Sequence, residues 1–130
     1  MDQPMWMAEA WQRLGTRERP GSRHNQDILD FFRDAGHADV KRDEVSWCAA
    51  FVGASLKRAG HEGTGSLLAR SYLDWGQVLE YGQPGAVVIL SRGRDQWAGH
   101  VGFWVGETEG SHILVGGNQS DAVTVAAFDK

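Results

Sequence analysis

The dipeptide Pro84-Gly85 divides this chain into two stretches with different periodicities. Upstream, apolar residues recur at helical spacing. Met7, Ala10, Trp11 and Leu14 form one set, Ile28, Phe31, Phe32 and Ala35 a second, and Ser46 to Ala59 holds a third. Residues three and four apart share a face of a helix, so each set predicts an amphipathic helix. Downstream, Ala86 to Leu90 is a continuous apolar run that predicts a strand buried on both faces. His100 to Gly106 alternates, with Val101, Phe103 and Val105 on one face and His100, Gly102 and Trp104 on the other. Ile113 to Gly117 and Val123 to Phe128 complete a meander. Helices first and consecutive antiparallel strands afterwards is the α+β pattern.

The punctuation agrees. Pro4 and Gly15 bracket the first helix, and Pro20-Gly21 marks the loop TRERPGSRH. Asn25 is a good N-cap for a helix through Ala35, with Asp27 in its first turn and Gly36 after it. Ser46 caps a third helix that stops at Gly60, and a short fourth helix is expected from Leu67 to Trp75. With 130 residues and no linker, repeat or low-complexity segment, residues 1–130 read as a single domain.

Composition narrows the function classes. A formal charge of −4 gives no electrostatic reason to bind nucleic acid. No run approaches the ~18 apolar residues of a membrane span. MDQPMWMAEAW has no basic segment followed by an apolar run, so no signal peptide is expected. One cysteine makes neither an internal disulfide nor a multi-cysteine zinc site. No metal or cofactor is expected, and the chain is expected to be a monomer.

That single cysteine, Cys48, falls at the mouth of the third helix. If Ser46 is the N-cap, Cys48 is the second helical residue, where backbone N–H groups lack partners within the helix. The positive end of the helix favours a thiolate there, and the same N–H groups can hold an oxyanion. A small buried hydrophobe inside WCAAFV is the alternative. A nucleophilic thiol needs a base. Of five histidines, His100 stands apart because it opens a strand where the loop SRGRDQWAG enters the sheet. Pairing the two strands about the turn near Glu109 sets His100 opposite Asn118, Gly102 opposite Gly116 and Trp104 opposite Leu114. Opposed residues share a face, so Asn118 can accept from the imidazole and orient it. A bulge at Gly116-Gly117 would break that pairing, and Asn118 is equally at home as a turn residue in GGNQS.

The motifs DEVSWCAAFV, PGAVVIL, GHVGFWVG and ILVGGNQSDAVTVAAF resemble the CHAP and NlpC-like papain-type cysteine peptidases, closest to a small branch of phage lysins and bacterial cell-wall hydrolases. LGTRERPGSRHNQDILDFF and GTGSLLARSYLDWG fit as well, so the resemblance covers nearly the whole chain. It implies a papain-like core with Cys48 as nucleophile, His100 as general base and Asn118 as third member. The implied activity is cleavage of a peptidoglycan amide, within the stem peptide or between muramic acid and L-alanine. The partner is then a muropeptide. Relatives acting from outside usually carry a signal peptide or a wall-binding module, neither of which is seen. The protein is thus expected to be made in the cytoplasm and delivered by an export factor, a holin or a secretion system. One more short strand is expected after Lys130. Trp47, Trp75, Trp97 and Trp104 are candidates to line a groove, and the loop Glu18 to Asn25 to form its wall. Ser46 and Asn25 are candidates for a second oxyanion donor. A thiol acyltransferase, a protein-modifying cysteine peptidase or an inactive binding domain are the alternatives.

Overall fold

Helix α3, Cys48–Arg58, is the axis on which the rest is built, with every residue from Cys48 to Leu56 buried. The computed structural model describes residues 3–19, 24–41, 46–91 and 99–130. Helices α1 (Met5–Gln12) and α2 (Gln26–Asp34) pack on α3, and their buried residues are those at helical spacing: Met7 and Ala10, then Ile28, Phe31 and Phe32. Asn25 caps α2 as its sequence implies, its side chain accepting from the Asp27 N–H at 2.9 Å. The expected fourth α-helix is a 3₁₀ helix, Ala69–Asp74.

Four strands follow, β1 (Val87–Ser91), β2 (Gly99–Glu107), β3 (Ser111–Gly116) and β4 (Thr124–Asp129), in one antiparallel sheet with the order β1-β2-β3-β4. The fold is therefore α+β with a meander, as the change of period implies. The derived register holds at Phe103↔Val115 and Trp104↔Leu114, then slips by one at a bulge before Gly106↔Ile113. The bulge thus lies at the far end of β2, not at Gly116-Gly117. β1 also departs from expectation. It is only partly buried along its length, because it pairs with β2 on one side and is an edge of the sheet among the described residues.

Val101, Phe103 and Val115 turn toward α3 and join the core, where Phe51 meets Phe103 and Phe31 meets Phe51 edge-on. His100, Gly102 and Trp104 turn to the other face, and a Cβ at Gly102 would touch Leu114 at 3.5 Å. Burial of each large apolar side chain contributes about 1.5–3 kcal/mol, against ~0–1 kcal/mol for an exposed ion pair. The core therefore holds the fold together, and the ion pairs tune it.

One ion pair gives a pH signature. Arg58 Nε reaches Asp34 at 2.7 Å while its guanidinium lies over the Phe31 ring, and Arg33 bonds the same carboxylate at 3.0 Å. Partial burial pushes the Asp34 carboxyl up, but the hydrogen bonds and charges of Arg58 and Arg33 outweigh it and hold the group below its ordinary value. A carboxylate with a depressed folded pKa stabilises above its unfolded value, ~3.9, and that stabilisation is lost as pH falls through the lower folded value. Asp34→Asn is expected to remove this part of the acid dependence. In urea unfolding from pH 7 to pH 2.5, the variant should start less stable than the wild type and converge toward it below about pH 4. A constant difference at every pH would refute the linkage. No helix among the described residues is long and apolar enough to cross a membrane.

Candidate active site

Cys48 is the first residue of α3, one position earlier than a Ser46 cap would place it. The N-cap is Trp47, at φ −127° and ψ 17°, and no side chain caps the helix. The helical ladder opens with Phe51 N–H donating to Trp47 O at 2.9 Å, so the N–H groups of Cys48, Ala49 and Ala50 are not used by the helix itself. Cys48 thus stands in the first turn, at the positive end of an eleven-residue helix. The thiol is also well covered, with the residue only 5% exposed.

Trp47, expected as a groove wall, is instead fully buried and stacked on Phe31 at 5.8 Å. An apolar ring between α2 and α3 has more surface to bury than a groove would take from it, so it joins the core. Its Nε1 is buried with no hydrogen-bond partner among the described residues.

His100 is 2% exposed, near the start of β2, its ring stacked 5.2 Å from that of Phe128. Its Nε2 lies 2.8 Å from Oε1 of Gln119, itself 4% exposed. The Gln119 amide can face only one way. Its Nε2 donates to the Thr124 carbonyl at 2.9 Å, a group that only accepts, and lies 3.1 Å from Thr124 Oγ1. The oxygen of the amide therefore faces the imidazole, and His100 Nε2 must carry a hydrogen. In the neutral ring this leaves the lone pair on Nδ1, a tautomer set by a carbonyl two bonds removed from the imidazole.

Asn118 does not take the place expected of it. β3 ends at Gly116, and Asn118 has φ 58°, in the left-handed region, so the ladder that would set it opposite His100 has already stopped. Its Nδ2 turns instead toward Ser46 Oγ, at 3.5 Å. Ser120 and Asp121 share the left-handed backbone, at 57° and 61°. Three such residues in one short loop store strain of the kind that gathers at functional sites. The Asn118–Asp121 loop is pinned by the segment before α2: Glu18 N–H donates to Asp121 O at 2.9 Å, and Val123 N–H to Thr16 O at 2.8 Å. Asn25 Nδ2 donates to Arg17 O at 2.9 Å, tying α2 to that same segment. Glu18 thus touches the loop through its backbone, and Asn25 is tied to the same segment through its side chain. Residues 20–23 of the proposed wall, and Trp97, lie outside the described residues.

Gly116 and Gly117 link the two halves of the site. A Cβ at Gly116 would lie 2.4 Å from Gln119 Oε1 and 3.4 Å from His100 Nε2. One at Gly117 would lie 2.6 Å from Phe51 Cβ and 2.8 Å from the Trp47 ring. The end of β3 therefore runs between the His100–Gln119 pair and the first turn of α3, and no side chain fits on either side of it. Gly116→Ala is expected to displace Gln119 and so to mimic Gln119→Ala. Both should slow alkylation of Cys48 at pH 7 by up to about 10²-fold through misplacement of the ring. Asn118→Ala should have a smaller effect. Equal rates for Gly116→Ala and wild type would show that the amide does not govern the thiol.

A groove of about 560 Å³ runs beside β1 and is lined by Trp6, Trp75 and Trp104 but not by Cys48 or His100. No protein-family model, curated protein or solved structure matches this chain.

Proposed function

We propose that the chain is a thiol-dependent peptidoglycan hydrolase with a papain-like core, cleaving an amide of the stem peptide or the muramoyl–L-alanine bond. The observation that carries this reading is the buried His100–Gln119 pair, in which the Gln119 amide fixes the orientation of the imidazole. Cys48 at the start of α3 supplies the complementary half. The body of β2 turns its His100 face away from α3, so this reading requires the thiol and the imidazole to approach around the end of the sheet, where Gly116 borders His100 and Gly117 borders Trp47 and Phe51.

Nδ1 accepts the Cys48 proton, and the thiolate attacks the amide carbonyl. First-turn N–H groups of α3 hold the oxyanion. As the C–N bond breaks, the imidazolium returns its proton to the leaving amine. Water activated by His100 then cleaves the thioester and restores the thiol. Gln119 takes the orienting role assigned from sequence to Asn118. We assign Asn118, whose amide turns toward Ser46 ahead of α3, to contact with substrate instead.

Digestion of purified muropeptides followed by mass spectrometry tests the reaction. The expected product is one new amine and one new carboxylate, gaining one water across a single amide. Intact muropeptides alongside turnover of a thioester or protein substrate would favour the acyltransferase or protein-modifying reading. The burial of Cys48 favours an inactive binding domain over either. A thiol that iodoacetamide leaves unlabelled at pH 7 in the folded protein, and labels in urea, would establish it.

A further inference from the structure

We propose that the groove along the free edge of β1 binds an N-acetylated glycan strand. The inference rests on the peptidoglycan reading above for the source of that strand, but its chemistry comes from the groove. A volume of about 560 Å³ is within the ~300–1,000 Å³ of ordinary small-ligand sites. Three indoles line it, and each has its N–H committed inside the protein. Trp6 Nε1 donates to Gly85 O at 2.9 Å, Trp75 Nε1 to Glu62 O at 2.9 Å, and Trp104 Nε1 to His112 Nδ1 at 3.3 Å. These bonds fix the rings before any ligand arrives and leave only carbon surface to offer. A ligand that stacks C–H faces on rigid aromatic rings matches that surface.

The floor of the groove asks for something polar. Trp104 N–H donates to Ala86 O, so Ala86, Val88 and Leu90 face β2 and the backbone groups of Val87 and Ile89 point outward. No strand pairs with that edge among the described residues, yet Val87, Val88 and Ile89 all line the groove. An acetamido group carries one N–H and one C=O, the complement of such an edge. Charge restricts the occupant further. Among the described residues of the lining Glu80 is the only carboxylate and no lysine or arginine occurs, so a neutral polymer fits better than a polyanion. Tyr81 and Val78 stand 82% and 89% exposed at the rim, large apolar side chains left without cover.

Position agrees with use. Trp104 and His100 share a face of β2 four residues apart, about 13 Å at ~3.3 Å per residue. A sugar held against Trp104 would leave its attached peptide one short span from His100.

The test is a tryptophan-fluorescence titration of the Cys48→Ala protein with tetra-N-acetylchitotetraose. A saturable change is expected, with affinity at least tenfold weaker in Tyr81→Ala and in Trp75→Ala. Tyr81 is exposed enough that its loss should spare the fold. Cellotetraose, which has no acetamido group, should bind at least tenfold more weakly than chitotetraose. No saturable response to chitotetraose, or equal binding of cellotetraose, overturns the proposal. So does displacement of chitotetraose by a lower concentration of a blocked alternating Lys-Val hexapeptide, which would assign the edge to an extended peptide. The two readings fail separately. Muropeptide cleavage without chitotetraose binding removes the glycan groove alone, whereas chitotetraose binding without muropeptide cleavage upholds the groove and removes the hydrolase.

Discussion

Cys48→Ala and Cys48→Ser are both expected to show no measurable muropeptide hydrolysis. Removing the nucleophile from a catalytic unit that acts together costs on the order of 10⁶-fold, beyond the reach of a mass-spectrometric assay. Serine is the more informative change. It preserves the volume of a site that is 5% exposed, so the fold and the contacts around the start of α3 should survive. A hydroxyl is a far weaker acid than a thiol, and neither the imidazole nor the helix terminus can be expected to ionise it. Thermal unfolding of the serine protein should therefore match the wild type while turnover vanishes. Residual hydrolysis above about one per cent in either variant would mean that another group attacks the substrate, and Cys48 would return to the core.

His100→Ala should cost about 10²–10⁴-fold in kcat, the usual worth of a positioned proton carrier. The same change should slow iodoacetamide alkylation of Cys48 at pH 7, because nothing then removes the thiol proton. The second readout separates chemistry from packing. His100 is 2% exposed and stacked on Phe128, so its loss also opens a cavity and leaves Gln119 Oε1 without its partner. That cost in stability, about 1–3 kcal/mol for an unsatisfied buried acceptor, would appear even in a purely structural histidine. A drop in melting temperature with unchanged Cys48 alkylation would therefore sink the pairing of thiol and imidazole. His100→Asn provides a check, since it fills part of the space without a base and should be as inactive as alanine.

These expectations depend on residues that were unequally visible in the sequence. Cys48 and His100 stand out because their signals are local: a lone thiol at the mouth of an apolar helix, and a histidine opening an alternating run. The α+β order, the meander and the Asn25 cap belong with them, as does the register at Phe103↔Val115 and Trp104↔Leu114. Periodicity, caps and turn lengths act over a few residues, so they can be read from the chain itself.

Gln119 could not be found that way. Register counting places residue 118 opposite His100 only while β3 remains in its ladder, and the ladder ends at Gly116. Beyond it, Asn118, Ser120 and Asp121 adopt left-handed backbone, and counting no longer tells which side chain turns inward. Register counting singles out Asn118 and passes over the adjacent amide of Gln119. Contacts with distant segments decide between them: Gly117 against Trp47 and Phe51, Asn118 against Ser46 at a separation of 72 residues, and Gln119 against Thr124. The Ser46 cap failed for a similar reason. Its hydroxyl has a partner across the chain in Asn118, and Trp47, buried between α2 and α3, takes the cap position with no side-chain bond. Likewise the apolar run of β1 announced a strand but not its place at the edge, since strand order is settled by neighbours rather than by the strand's own residues. What the amino-acid sequence determined by itself was thus which segments are helix or strand and which side chains have chemistry to offer. The tertiary structure alone decided which of those side chains meet, because such meetings are set by packing between segments that no local period relates.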